Sequence, residues 1–172
     1  GATALFEGNF RGACEALERS SAMRQQVADR RGVAFTDTFL AWTRSRMGEV
    51  SDAIALLERA EQTLEDVGDQ RLIYFARDIK AHAFLQLGDA ARAAQILEIN
   101  SVNGFRRFGD RWGVAHRLAL ASWASRLLGL NEQAEALGME SLALRREEED
   151  HYGEAESLAL LAAAASANGD DA

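Results

Sequence analysis

Apolar residues recur along this chain at the spacing of one face of an α-helix. Val33, Leu40 and Met47 form one stripe at intervals of seven positions. A second, denser stripe consists of Leu72, Ala76, Ile79, Ala83 and Leu87. The chain contains no proline, a residue that interrupts helices. The pattern therefore predicts a series of amphipathic helices and no β-strands.

Glycine and acidic residues divide this pattern at regular positions into separate helices. After the end of a truncated helix in residues 1–7, the predicted helices cover residues 9–28, 29–47, 49–67, 69–87, 89–108, 110–128, 131–149 and 150–167. One interval between repeated positions is a residue longer than the others, which predicts a local irregularity near Asn100–Gly104. The chain is thus expected to fold as about eight antiparallel helices.

Four kinds of position repeat in a single register. The glycines are Gly8, Gly48, Gly88, Gly129 and Gly169, at intervals of 40, 40, 41 and 40. Five residues after the first four come Ala13, Ala53, Ala93 and Ala134. Seven residues before the last four come Ala41, Ala81, Ser122 and Ala162. The aspartates are Asp29, Asp69, Asp110 and Asp150, three of which begin the pattern Asp-x-x-Gly-x-Ala. A fixed period of this kind indicates a repeat architecture.

Each repeated position has a physical role in a helical hairpin. Glycine suits the left-handed residue that ends a helix. Asn9, Asp89 and Asn131 follow these glycines and are predicted to cap the next helix, as the aspartates are at the other turn. The small residues allow two helices to approach closely at one crossing point. Because a hairpin with an alanine interface buries little apolar surface, neighbouring repeats must supply the remaining burial.

This combination of positions resembles the tetratricopeptide repeat. Leu40-Ala41, Gly48-Glu49 and Ala53 carry the resemblance in one repeat, and Ala81, Leu87-Gly88-Asp89 and Ala93 carry it in the next. The longer period, with GDRWGVA at 109–115 and ALRREEEDHYGEA at 143–155, resembles the 40-residue variant found in C-terminal regions of bacterial LuxR-type and other ATP-dependent regulators. The resemblance implies an all-α, right-handed α-α superhelix: a single solenoid domain over residues 1–172, with about four repeats.

Some positions depart from the family pattern. Lys80 and Ala121 stand where the family prefers leucine, and Arg44 and Ser125 stand where it prefers a large apolar residue. Both ends of the chain fall in the middle of a repeat. We therefore expect it to be a piece of a longer array; the alternative is self-association through the open ends of the solenoid.

Composition limits the classes of partner and the cellular compartment that are expected. The net charge of −8 argues against direct binding of nucleic acid, which requires a cationic surface. No apolar run is long enough to span a membrane, so no membrane partner is expected. The single cysteine, Cys14, and the absence of a secretory signal favour a cytoplasmic protein.

The resemblance also implies where a partner would bind. In this family the first helix of each pair lines a concave groove, and the residue after each small position points into it: Trp42, His82 and Trp123. The neighbouring predicted groove residues are Phe35, Thr38, Ser45, Arg46, Phe75, Asp78, Leu85, Gln86, His116 and Arg126. Aromatic anchors beside arginine suit a protein or peptide segment, either from another molecule or from the same polypeptide. The alternative is that the tryptophans fill space between repeats.

Signatures of catalysis and cofactor binding do not occur in the sequence. No GxSxG, HExxH, CxxC or phosphate-binding glycine loop is found. The histidines lie about one repeat apart, so no metal site is expected. We therefore predict a non-enzymatic interaction scaffold without a cofactor, the regulatory part of a larger bacterial signalling or transcriptional regulator. The alternative is a sensor domain for a small effector or signalling peptide.

Overall fold

The computed structural model describes residues 9–99 and 102–169 of the chain. In these two ranges the secondary structure is entirely helical: α1 (Phe10–Gln26), α2 (Arg30–Arg46), α3 (Val50–Val67), α4 (Gln70–Gln86), α5 (Ala90–Ile99), α6 (Val102–Arg107), α7 (Arg111–Leu127), α8 (Asn131–Glu147) and α9 (His151–Gly169). The prediction of an all-α fold built from consecutive helices is confirmed.

The helices form two compact units. The first unit ends at Leu87 and contains α1 to α4; within it, α2 packs against α1, α3 and α4, and α3 also packs against α4. The second unit begins at Gly88 and contains α5 to α9; here α7 packs against α5, α6, α8 and α9, and α8 packs against α9. One helix is therefore central to the packing of each unit: α2 in the first and α7 in the second. Among the described helices, none has the length and apolar character needed to cross a bilayer.

Most predicted helix boundaries agree with the structure to within about three residues. The segment 89–108, predicted as a single helix, contains α5 and α6, on either side of residues 100 and 101. The predicted irregularity near Asn100–Gly104 falls partly on these two residues, which lie outside the described residues. The truncated helix in residues 1–7, Gly8 and the turn residue Asp170 also lie outside them.

Side-chain caps explain where most helices begin. The four repeated aspartates, Asp29, Asp69, Asp110 and Asp150, each accept a hydrogen bond from the backbone N–H three residues later, at 2.8, 3.1, 2.8 and 2.9 Å. At the other turn, Asn9 and Asp89 accept equivalent bonds at 3.1 Å. The prediction for Asn131 is wrong. It is the first residue inside α8, and the cap position is Leu130, whose side chain cannot accept a hydrogen bond.

At these turns the residue after each helix adopts the left-handed backbone conformation, whether or not it is glycine. The backbone φ angle is +73° at Gly68, and φ is also positive at the predicted terminators Gly48, Gly88 and Gly129. At the positions equivalent to Gly68 in the first and last turns stand Ala28 and Glu149, both with φ of +55°. A side chain in this conformation costs about 1–2 kcal/mol, because Cβ approaches the following carbonyl oxygen.

We expect Ala28→Gly to raise the free energy of unfolding by about 0.5–1 kcal/mol, since relief of strain exceeds the added entropy of the unfolded chain. Gly68→Ala should lower it by about 1 kcal/mol for the converse reason. Ala22→Gly is the matched control: Ala22 is an exposed position inside α1, where glycine should cost about 1 kcal/mol. Urea denaturation followed by circular dichroism measures all three. A loss of stability in Ala28→Gly comparable to that in Ala22→Gly would contradict the explanation.

All but one of the repeated small residues are buried, as close packing of two helices requires. Ala13, Ala53, Ala93 and Ala134 are fully buried, and Ala41 and Ala81 are as well. At the crossing of α7 and α8, the Ser122 hydroxyl donates a hydrogen bond to the backbone oxygen of Ala134 at 2.7 Å. Ala162, the last small residue of the series, is exposed.

The glycine of the Asp-x-x-Gly pattern accommodates a large side chain from the preceding helix. A Cβ atom at Gly153 would lie 2.5 Å from the Arg145 guanidinium, and one at Gly113 would lie 2.5 Å from the Phe105 ring. At Gly32 the obstructing groups are the Arg24 and Asp29 side chains. In the remaining repeat the equivalent residues are Leu64 and Leu72, so leucine stands at both positions where the glycine is absent.

Two departures from the family pattern have local polar partners. Lys80 and Arg77 of α4 both donate to the Glu61 carboxylate of α3. Burial raises the pKa of Glu61, but hydrogen bonds from Lys80 and Arg77 lower it further than burial raises it, so the net pKa lies below its ordinary value. Arg44 donates to Glu18 of α1 at 2.9 Å. Ion pairs thus join α4 to α3 and α2 to α1 at these two positions.

Candidate functional site

One face of α2 carries a continuous row of aromatic and basic side chains. Arg31, Phe35, Phe39, Trp42 and Arg46 follow one another at intervals of four, four, three and four residues. These intervals place successive side chains on the same face of a helix. The row therefore has an arginine at each end and three aromatic rings between them.

The three rings join a fourth from α4 in an aromatic cluster, which we define as Phe35, Phe39, Trp42 and Phe75. Ring centroids are 5.0 Å apart for Phe35–Phe39 and 6.2 Å for Phe39–Trp42. Phe75 lies 5.3 Å from Phe39 and 6.0 Å from Trp42, whose indole it meets edge to face. Tilted and edge-to-face pairs at these distances are favourable beyond the apolar area that they bury. The cluster therefore joins α2 to α4 within the first unit.

Exposure differs along the aromatic cluster. Phe35 is 38% exposed, whereas Trp42 is 8% exposed. Phe39 and Phe75 are half-buried. The cluster is therefore accessible to solvent at Phe35 and buried at Trp42. Of the two readings of Trp42 considered above, its burial agrees with a packing role, and direct contact of the indole with a partner stays a prediction.

At the other end of α2, polar groups border the cluster. The Ser45 hydroxyl, 1% exposed, donates to the side-chain oxygen of Gln86, which is exposed at the end of α4. The exposed Arg46 guanidinium lies 5.9 Å from the ring centre of Phe10 in α1. A guanidinium over a ring face at this distance makes a cation–π contact. Arg46 is thereby positioned by both α1 and α2.

The remaining predicted groove residues of the first unit are interior. Thr38 is 1% exposed, and its hydroxyl donates to the Ala34 backbone oxygen at 2.8 Å. Asp78, Leu85 and His82 are 0%, 2% and 4% exposed. Burial, together with the positive charge of Arg46, lowers the pKa of His82 to about 4. His82 is therefore neutral near pH 7 and adds no charge to this surface.

The other three predicted residues belong to the second unit. His116 is 4% exposed, and its ring stacks on Trp112 with centroids 5.1 Å apart and planes 9° apart. The Arg145 guanidinium lies 5.4 Å from the centre of the same Trp112 ring. Trp123 and Arg126 are half-buried, and among the described residues the buried Nε atom of Arg126 has no hydrogen-bond partner. His116, Trp112 and Arg145 thus form a stacked group that joins α7 to α8.

Three aromatic residues that contact predicted site residues were not themselves predicted from the sequence. Phe39 completes the aromatic cluster, Phe10 contacts Arg46, and Trp112 stacks on His116. The spacing of Phe39 from Phe35 and Trp42 was sufficient to place it on the same helix face. Phe10 and Trp112 had no such signal, because their contacts depend on how neighbouring helices pack.

Comparison with known proteins adds no family to this description. No protein-family model matches the chain, and no curated protein matches its sequence significantly.

Proposed function

We propose that this chain is a non-enzymatic interaction scaffold of the tetratricopeptide kind, and that the aromatic cluster of the first unit binds a protein or peptide segment. The observation that carries the proposal is an aromatic cluster that is exposed at Phe35 and bordered by arginines at both ends of one helix face. Aromatic residues and arginine contribute disproportionately to the energy of protein interfaces. The place of the chain in a larger bacterial regulator rests on the 40-residue period and its resemblance to regulator C-termini.

The geometry of the site favours a peptide over a small molecule. Arg31 and Arg46 are separated by 15 positions, or about 22 Å along the helix axis. An extended peptide covers this length with about seven residues. The rings are already packed against one another, so little side-chain entropy is lost when a partner binds. A rigid, elongated surface of this size is suited to a short linear segment.

Selection of a random peptide display library on the purified chain tests the proposal. We expect enriched peptides to bind the chain and to lose at least about ten-fold in affinity in the Phe35→Ala variant, since an exposed aromatic anchor at an interface commonly contributes more than 1 kcal/mol. Phe108→Ala is the matched control, because Phe108 is 47% exposed but belongs to the second unit. Failure to enrich any peptide, or equal losses in the two variants, would contradict the proposal.

A further inference from the structure

Charge is unevenly distributed among the helices of the first unit. The first helices α2 and α4 together contain seven basic and two acidic residues, whereas α1 and α3 contain four basic and seven acidic residues. The chain as a whole has a net charge of −8. The helices that carry the aromatic cluster are therefore basic in an acidic protein.

Neither carboxylate of α2 and α4 is exposed beside the aromatic cluster. Asp37 is half-buried and accepts a hydrogen bond from Ser21 of α1 at 2.8 Å. Asp78 is fully buried. Both helices are described over their whole length, and their exposed charged residues are all arginines: Arg30, Arg31, Arg46 and Arg71.

Three of the four exposed arginines border the aromatic cluster. Arg31 and Arg71 each precede a phenylalanine of the cluster by one helical turn, four residues before Phe35 and Phe75 respectively. Arg46 follows Trp42 by the same interval. Arg31 is also paired with Asp69 at 2.6 Å, yet its side chain remains 63% exposed. The surface is thus apolar in the middle and has an exposed arginine at each end.

We propose that the partner of this surface is an acidic segment with a central aromatic or large apolar side chain. This inference rests on the proposed function and specifies the chemistry of the partner. Complementary charge increases the association rate and excludes basic competitors. The distance of about 22 Å between the two ends of α2 corresponds to acidic residues about six positions apart in an extended segment, with the apolar residue midway.

Three fluorescein-labelled peptides of equal length test the inference by fluorescence anisotropy. Each has a central phenylalanine, and the residues three positions to either side are glutamate, glutamine or lysine. We expect the glutamate peptide to bind at least about ten-fold more tightly than the lysine peptide at low ionic strength, and added salt to reduce the difference. A fourth peptide, with the glutamates kept and alanine in place of phenylalanine, should bind at least about ten-fold more weakly than the first.

Charge reversal locates the effect on the protein. Arg46→Glu should weaken the glutamate peptide by at least about ten-fold and strengthen the lysine peptide. Arg19→Glu is the matched control, since Arg19 is an exposed arginine on α1 in the same unit and the change in net charge is identical. Circular dichroism of both variants shows whether the helices are retained; if Arg46→Glu loses helix content, Arg71→Glu replaces it.

Each remaining outcome has a defined meaning. Equal binding of the glutamate, glutamine and lysine peptides would show that the inference is wrong while the interaction scaffold stands. Equal binding of the phenylalanine and alanine peptides would identify a general surface for polyanions, and equal effects of Arg46→Glu and Arg19→Glu would place the binding elsewhere; both overturn the inference. If no peptide of the set binds and library selection also fails, the proposed function itself is wrong.

Discussion

Trp42→Ala is expected to lower the free energy of unfolding by about 3–5 kcal/mol, the usual cost of removing a buried aromatic side chain. The indole is 8% exposed, and its ring lies within 6.2 Å of Phe39 and 6.0 Å of Phe75. Its removal leaves a cavity between α2 and α4 that the surrounding rings cannot fill completely. Chemical denaturation followed by far-ultraviolet circular dichroism measures the loss.

Phe35→Ala is the matched control for this prediction. Phe35 belongs to the same aromatic cluster and the same helix, but it is 38% exposed, so its removal should cost only about 1 kcal/mol. A loss in Trp42→Ala no larger than that in Phe35→Ala would show that the indole is not part of the core. The tryptophan would then be a surface anchor, as the groove reading of the sequence has it.

Asp150→Asn is expected to destabilise the second unit by about 3–5 kcal/mol, because it breaks a buried ion pair and leaves the other charge in place. Arg145 is 2% exposed, lies over the Trp112 ring and donates to the Asp150 carboxylate. The Glu156 carboxylate lies 3.9 Å from its guanidinium. Asparagine retains an oxygen that can accept the hydrogen bond from the Gly153 N–H, so the substitution removes the charge and keeps the helix cap. Denaturation curves of the variant and the original chain measure the effect.

The repeat supplies its own control for the ion pair. Arg24 and Asp29 occupy the equivalent positions in the first unit and are joined at 2.7 Å, but their side chains are 39% and 41% exposed. Solvent weakens an exposed pair strongly, so Asp29→Asn should change stability much less than Asp150→Asn. Similar losses in the two variants would contradict the explanation by the burial of Arg145, because both substitutions keep the helix cap and differ in how buried the ion pair is.

Burial thus separates the stabilising residues from those available to a partner, although they share one face of α2. Trp42 holds α2 against α4, and Phe35, one end of the same aromatic cluster, remains accessible. A binding experiment based on Trp42→Ala would confuse loss of folding with loss of contact. Substitutions at Phe35, Arg46 and Arg71 test recognition more directly, since all three side chains are exposed.

The repeat period and its turn chemistry determined most of the local structure. Interval counting placed the left-handed terminator at Gly48 and the caps at Asp29 and Asp69, and the structure has them there. These features depend on the conformation of three or four consecutive residues, so a single sequence is sufficient. Asn131 is the exception: its residue type suits a helix cap, but the repeat register assigns that position to Leu130.

Contacts between helices could not be derived in the same way. The pairing of Arg145 with Gly153, and of Phe105 with Gly113, links residues eight positions apart across a turn. The sequence shows the glycines, but only the packed structure shows which side chain each one accommodates. For the half-buried Phe39, spacing was sufficient to place it on the same helix face as Phe35 and Trp42, but its contact with Phe75 requires the placement of α4 against α2.

By itself the sequence determined that this chain is a series of helical hairpins with a 40-residue period, because helix periodicity, left-handed terminators and caps are local properties of the backbone. Only the tertiary structure decided which residues of a helix face are buried and which are exposed. Trp42 and Phe35 have the same periodicity and similar apolar character, but the packing of α4 against α2 covers the first and leaves the second open to solvent. The burial of a residue depends on how neighbouring helices pack against it, so it cannot be predicted from residue spacing within one helix.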